Sequence, residues 1–164
     1  MTGVRDAITS AEVGAPVDEV FAFLADQRNH SRLAGRWIDV VALRPAEGRA
    51  DGATIRLRGP LGMVFSVDTR VDERHAPTRI GGRGACGRSR AIVVWDLAPA
   101  GPGRTRVSVA VRLVRAAPHH RLIWTAGGRA WLGRRLGQTV GSLGADLHAH
   151  AIAPRLAPLA VPSA

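Results

Sequence analysis

Residues 105–114 read TRVSVAVRLV and residues 63–72 read MVFSVDTRVD, and in both stretches apolar and polar side chains alternate. In the first stretch Val107, Val109 and Val111 share one face, while the other face carries arginine and serine. Alternation with a period of two is typical of a β-strand, because successive side chains point to opposite faces. One apolar and one polar face predict an antiparallel sheet that is covered on one side only.

Frequent Gly and Pro turn signals separate short apolar runs along most of the chain, which favours a meander of antiparallel strands. A first strand is predicted over Val4–Val13. Six further strands are predicted at Trp37–Arg44, Ala53–Arg58, Met63–Asp72, Arg79–Ala85, Arg90–Leu97 and Thr105–Val114.

A long amphipathic helix follows the last strand and would cover the apolar face of the sheet. Its apolar positions advance by three or four residues, as a helix requires: Leu132, Leu136, Val140, Leu143 and Leu147. The helix is predicted to begin between Pro118 and Arg129, with an uncertain or kinked start at the pair Gly127 and Gly128, and to end at Pro154.

The segment APVDEVFAFLADQRNHSRL (15–33) predicts two small helices between the first and second strands. A proline suits the first turn of a helix, and the acidic residues Asp18 and Glu19 suit its positive end. The first of these helices is predicted to end near Asp26, and a second short helical segment to cover 27–35.

Three motifs carry a family resemblance: residues 15–33, VDERHAPTRI (71–80) and LAPAGPGRTRV (97–107). With the element order, they resemble the SRPBCC superfamily, which holds polyketide cyclase/dehydrase-like proteins and START lipid-binding domains. The resemblance implies an α+β, helix-grip (START-like) fold, in which a curved antiparallel seven-stranded sheet wraps around a long C-terminal helix. We expect a single domain over 1–153 and a flexible, proline-rich tail at 154–164.

The composition limits the chemistry that the chain can perform. All 23 basic residues are arginine, and 13 acidic residues leave a formal net charge of +10. Arginine without lysine is typical of GC-rich coding sequences, so the charge alone does not predict a nucleic-acid partner. The single cysteine, Cys86, excludes an internal disulfide, and the absence of tyrosine excludes a phenol as proton donor. No apolar run has membrane-spanning length and the first residues lack a signal-like apolar region, so we expect a cytoplasmic protein.

The resemblance implies a cavity between the concave face of the sheet and the long helix. Its expected lining is almost entirely apolar, which suits a hydrophobic small molecule. The predicted ligand-binding residues are Trp37, Ile55, Leu57, Met63, Phe65, Val67, Trp95, Val109, Val111, Leu136, Thr139, Val140 and Leu143. The alternative is that these side chains simply fill the core. His30 and Arg32 are predicted at the pocket mouth, where an arginine could hold an anionic group, and Trp37 would occupy the space of an aromatic that the family usually has at Leu33.

Few polar residues are predicted to reach this cavity. His150 lies 18 residues after Leu132, about five helical turns, so it falls on the apolar stripe. Asp146 precedes it by one turn and could hydrogen-bond the imidazole, which would make the pair a candidate general base. The alternative is a solvated pair at a fraying helix end. His119 and His120 lack a metal-binding motif, so we expect no metal and no other cofactor.

Three functions remain open at this stage. The first is binding of a lipid-, isoprenoid- or polyketide-like molecule. The second is a metal-free enzyme of the polyketide cyclase/aromatase or dehydratase type, for which an acidic carrier protein could dock on the arginine-rich surface. The third is a regulatory or toxin-like interaction protein, in which filling the cavity would change nothing. The identity of the ligand and the oligomeric state do not follow from the residues.

Overall fold

Seven antiparallel strands form one sheet with the order β1-β7-β6-β5-β4-β3-β2 in a computed structural model that describes residues 6–33, 35–46 and 49–152. The strands are β1 (Ala7–Val13), β2 (Ile38–Ala46), β3 (Arg49–Arg58), β4 (Val64–His75), β5 (Arg79–Cys86), β6 (Ser89–Gly101) and β7 (Arg104–Arg115). The helices are α1 (Val17–Leu24), α2 (His30–Leu33), α3 (Pro118–Ile123) and α4 (Arg129–Ile152). The predicted helix-grip architecture is confirmed. The predicted tail at 154–164 lies outside the described residues.

Strand β5 contains residues 80–86 of the glycine-rich stretch, and its glycines let the sheet bend. A Cβ on Gly82 would lie 2.6 Å from the carbonyl oxygen of Arg70, so only glycine fits at this position. The neighbouring register between β4 and β5 shifts between Val71 and Glu73, which marks a bulge. Bulges increase the local twist and curvature of a sheet. The sheet therefore curves at β4 and β5, towards the side that the helices cover.

The predicted kink before the long helix is present. The chain passes from α3 through a wide helical turn, Trp124–Gly128, in which Gly127 has a φ of 124°. A positive φ of this size is a conformation that glycine adopts without steric cost. The kink lets α3 and α4 cover different parts of the same sheet face.

Close packing of α4 against β1 fills one part of the interior. A Cβ on Gly137 would lie 3.3 Å from Thr9 Oγ1, and one on Gly144 would lie 3.7 Å from Val13 Cγ1. Between these contacts Val140 and Leu143 are 0% exposed. The small residues on α4 thus allow the helix to lie directly on the edge strand, with the larger apolar residues directed into the core.

The outer face of the sheet carries a row of arginine–carboxylate pairs. Examples are Arg44 with Asp68 at 3.0 Å, Arg83 with Asp72 at 2.6 Å, and Arg112 with Asp6 at 2.8 Å. These pairs are solvent-exposed, so each contributes little to stability, roughly 0–1 kcal/mol. They do neutralise part of the positive charge on this face. No helix among the described residues is long and apolar enough to cross a membrane.

Candidate ligand-binding cavity

A cavity of about 320 Å³ lies between the concave face of the sheet and the helices at its open end. Strands β3 to β7 contribute apolar side chains to its floor, among them Ile55, Leu57, Phe65, Val67 and Val111. Its roof comes from α3, the turn at 124–128 and the first turns of α4. The volume lies at the lower end of the range of small-molecule sites, roughly 300–1,000 Å³. This part of the interior therefore contains open space, whereas the part beneath β1 is filled with side chains.

All four tryptophans of the chain line this cavity: Trp37, Trp95, Trp124 and Trp131. The rings of Trp37 and Trp131 meet edge to face, with centroids 5.7 Å apart. Aromatic rings give a large apolar surface that holds its shape with few rotatable bonds. Sequence reasoning missed Trp124 and Trp131, although the concentration of tryptophan in a chain without tyrosine was a usable signal.

The predicted ligand-binding residues fall into two groups in the structure. Eight of them line the cavity: Trp37, Ile55, Leu57, Phe65, Val67, Trp95, Val111 and Leu136. The other five lie away from it: Met63, Val109, Thr139, Val140 and Leu143. Of this second group, Val109, Val140 and Leu143 are fully buried in the core. Met63 lies in the turn that precedes β4, because the strand begins one residue later than the alternation predicts.

Trp37 lies in a helical turn, Gly35–Trp37, rather than at the start of the second strand as predicted. Its indole Nε1–H donates to Thr139 Oγ1 at 3.3 Å, so Thr139 supports a cavity wall without lining the cavity. Leu33 is buried nearby, 5% exposed. The hydrogen bond thereby fixes Trp37 to α4, and its side chain lines the cavity.

His30 lines the cavity at the end formed by the 26–33 segment. Asp26 accepts from the backbone N–H of Arg28 at 3.0 Å, and the Asn29 side chain donates to the Phe23 carbonyl at 2.9 Å, which together shape this turn. The His30 Nε2–H donates to the carbonyl of Leu24 at 3.0 Å. Burial lowers the pKa of His30, although that hydrogen bond and the charge of Asp26 oppose the shift. The ring is thus neutral, with Nδ1 as its unprotonated nitrogen.

Arg32, the second residue predicted at the pocket mouth, has a different position. It is exposed and does not line the cavity. The nearby polar residue Gln27 does line the cavity. It is buried and accepts a hydrogen bond from the Thr69 hydroxyl at 2.8 Å.

A second imidazole, that of His120, lines the cavity together with Ser89. Ser89 Oγ lies 2.6 Å from His120 Nδ1 and accepts from the backbone N–H of Ala117 at 3.0 Å. Ser89 is buried, and the described residues offer its hydroxyl proton no other acceptor, so we assign that proton to His120 Nδ1, which leaves Nε2 as the protonated nitrogen. Burial, followed by the neighbouring His119, lowers the pKa of His120. Sequence reasoning considered these histidines only as metal ligands and missed the pair, because Ser89 is 31 residues away.

The proposed acid–base pair at the end of α4 has no supporting geometry in the described residues. Asp146 is half-buried, and its Oδ2 accepts from the Ser142 hydroxyl at 3.3 Å. It does not line the cavity. The side chain of His150 lies outside the described part of the chain. Cys86 does line the cavity, and burial raises the pKa of its thiol, which disfavours the nucleophilic thiolate.

A curved sheet gripping a helix around an apolar, tryptophan-lined cavity defines a helix-grip, START-like domain. A family model described as polyketide cyclase / dehydrase and lipid transport matches residues 6–148, and the chain belongs to this family. The resemblance to the SRPBCC superfamily is thereby confirmed. No curated protein matches the chain by sequence.

Several solved structures share the fold at low sequence identity. The Zhui aromatase/cyclase from a Streptomyces species is 18% identical, with a TM-score of 0.65 over 90% of this chain and 95% of that one. A START superfamily protein from Mycobacterium smegmatis is 15% identical, with a TM-score of 0.60 over 84% and 98%. A protein from Thermus thermophilus is 14% identical, with a TM-score of 0.65 over 90% and 99%. At these identities the likeness establishes the fold alone.

Proposed function

We propose that this protein binds a hydrophobic small molecule, lipid-, isoprenoid- or polyketide-like, in the cavity between the sheet and the C-terminal helix. The observation that carries the proposal is the cavity of about 320 Å³ with its four tryptophans. Burying an apolar surface contributes roughly 25 cal/mol per Å². An apolar ligand therefore gains most of its binding energy from contact with such a lining, with a few polar groups left to orient it.

The test uses N-phenyl-1-naphthylamine, an uncharged apolar dye whose fluorescence rises in a non-aqueous site. Gly84 lines the cavity, and a Cβ there would meet only Val67 Cγ1, at 3.4 Å. Gly84→Leu therefore adds bulk to the cavity. Ala85→Leu adds bulk to the same strand at the neighbouring position, which faces the opposite side of the sheet, and serves as the matched control.

We expect saturable binding of one dye molecule to the wild type and to Ala85→Leu. Gly84→Leu should weaken binding by at least about tenfold, since the added side chain takes the volume that the dye needs. Thermal unfolding of both variants shows whether they remain folded. Equal binding by a folded Gly84→Leu variant, or no saturable binding by the wild type, would contradict the proposal and favour an interaction protein.

A second candidate function is cyclase-like or dehydratase-like chemistry in the same cavity. It is supported by the family description and by the neutral imidazoles of His30 and His120 at the lining, groups that can transfer protons near neutral pH. Asp146, which does not line the cavity, is a poor candidate for such a role. In this case an acidic carrier protein could deliver the substrate. The segment between Asp96 and Asp146 contains arginines but no acidic residue, which supports docking of such a carrier.

A further inference from the structure

The two imidazoles that line the cavity are hydrogen-bonded to the protein through different nitrogens. In His30 the Nε2–H is engaged by the Leu24 carbonyl, so Nδ1, a hydrogen-bond acceptor, is the free atom. In His120 the Nδ1 is engaged by Ser89, so Nε2–H, a donor, is the free atom. Within the described residues, Arg74 Nε is the one buried side-chain nitrogen or oxygen without a partner. The remaining nitrogens of His30 and His120 are therefore not fully buried, and both residues line the cavity.

His120 and the 27–30 segment contact different residues of strand β4. His120 contacts the ring of Phe65, with centroids 5.6 Å apart. In the middle of the strand, Thr69 donates to Gln27, which lies three residues before His30. Phe65 and Thr69 are four residues apart on one strand, a distance of about 13 Å. The apolar floor of the cavity runs between them, through Val67.

We infer that the cavity binds an elongated apolar molecule that carries a carbonyl-type oxygen at the His120 end and a hydroxyl at the His30 end. The inference rests on the proposed ligand-binding function and specifies the chemistry of the ligand. His120 Nε2–H donates to the carbonyl oxygen, and His30 Nδ1 accepts from the hydroxyl. Ser89 is a positioning residue, because its hydroxyl selects the His120 tautomer that can donate into the cavity.

The lowered pKa values of the two rings agree with these roles. Both His30 and His120 resist protonation because of burial. A neutral His30 keeps the lone pair on Nδ1 that a hydroxyl needs. A protonated ring would lose this acceptor and would favour an anionic ligand instead.

The first test measures binding of decane and decan-2-one by calorimetry to the wild type, His120→Phe and His148→Phe. The phenyl ring keeps the packing against Phe65 but removes the donor. We expect His120→Phe to weaken decan-2-one binding roughly fivefold, the effect of one hydrogen bond, and to change decane binding less than about twofold. His148→Phe, which alters an exposed ring on α4 that does not line the cavity, should bind both compounds as the wild type does.

The outcomes separate this inference from the proposed function. If His120→Phe weakens the binding of both compounds equally, or of neither, the assignment of a carbonyl-binding site to His120 is wrong, while the cavity remains a binding site. If neither compound binds to the wild type and the naphthylamine dye also fails, the proposed function itself is wrong, and this inference with it.

A second test uses the wild-type protein and needs no variant to fold. Nitrogen NMR of the imidazole rings should show a single Nε2–H tautomer for both His30 and His120. Addition of decan-1-ol should shift the Nδ1 resonance of His30, whereas decan-2-one, which has no hydroxyl donor, should leave it in place. In Ser89→Ala, His120 should populate both tautomers, and decan-2-one should bind less tightly. An unchanged His30 resonance with decan-1-ol, or an unchanged His120 tautomer in Ser89→Ala, would overturn the assigned roles.

Discussion

The interior of this protein has two halves that lie beneath different strands of the same sheet and are packed differently. In the half beneath β1 and β7, Val107, Val109 and Leu143 are 0% exposed and fill the space completely. In the half beneath β3 to β5, the equivalent inward residues, among them Leu57 and Val67, are only partly buried and line the cavity. Strand alternation is the same in both halves. The difference lies in where the long helix touches the sheet.

The position of α4 follows from its small residues. Gly137 and Gly144 allow it to approach β1 closely, so its apolar stripe packs onto the neighbouring strands. At the other end the glycine kink joins α4 to α3, and Trp124 and Trp131 line the roof of the cavity. The helix therefore packs closely on β1, and the cavity lies where the sheet is covered by α3 and the tryptophans instead.

The largest expected effect comes from truncating one leucine to alanine in each half. Leu143→Ala removes a fully buried side chain and should lower the free energy of unfolding by about 2–5 kcal/mol, since a cavity is left in close-packed core. Leu57→Ala should cost less than about 2 kcal/mol, because Leu57 already borders open space, but it should alter binding of the naphthylamine dye. Urea unfolding of the two variants measures both losses in the free energy of unfolding. Equal losses of stability would show that the two halves are packed alike.

A smaller effect is expected where α4 meets β1. Gly137→Val adds two methyl groups beyond a Cβ that is already 3.3 Å from Thr9, so it should destabilise the fold by about 1–3 kcal/mol. Gly141→Val is the matched control, because a Cβ there meets nothing within 4 Å and valine has the higher helix propensity. Thermal unfolding compares the two. If Gly137→Val is as stable as Gly141→Val, close approach at Gly137 does not set the helix position.

The smallest effect is a dependence of stability on pH that arises in the cavity half. Because burial lowers the pKa of His30, the unfolded chain binds a proton more readily than the folded one. The free energy of unfolding should therefore fall as the pH falls from about 7 to 5, through the ordinary histidine pKa of about 6.5. His30→Gln should flatten this slope in part, because His120, whose pKa burial also lowers, remains in the variant. Asp6 and Asp72 contribute little here, because Arg112 and Arg83 lower the pKa values of their carboxyls further below this range.

Urea unfolding of the wild type and His30→Gln at several pH values measures this difference. Two parallel curves would mean that His30 is protonated as easily in the folded protein as in the unfolded one. The neutral acceptor proposed for the His30 end of the cavity would then be wrong as well.

Much of the fold could be predicted because its determinants are local. The alternation in 63–72 and 105–114, the proline and acids that open α1, and the stripe of leucines on α4 each act within a few residues. The prediction of a kink at Gly127 was of the same kind. Strand ends were less accurate, as at Met63 and Trp37, since turn geometry competes with the pattern there.

The candidate site could be predicted only in part. Alternation indicates that Leu57, Val67 and Val109 all point inward, and it does not distinguish a residue that borders empty space from one that packs against a helix. His120 shows the same limit for polar residues, because its tautomer depends on Ser89, which the chain brings close only through the pairing of β6 with β7 and the turn into α3.

The sequence by itself determined the order of strands and helices, the face of the sheet that is apolar, and the place where the long helix bends. These properties depend on side-chain period and on the backbone preferences of glycine and proline, which are local. Only the tertiary structure decided which inward residues enclose a cavity and which nitrogen each histidine offers to it. Those properties depend on the distance between α4 and the sheet and on hydrogen bonds between residues that are distant in the chain, such as Trp37 with Thr139 and Ser89 with His120.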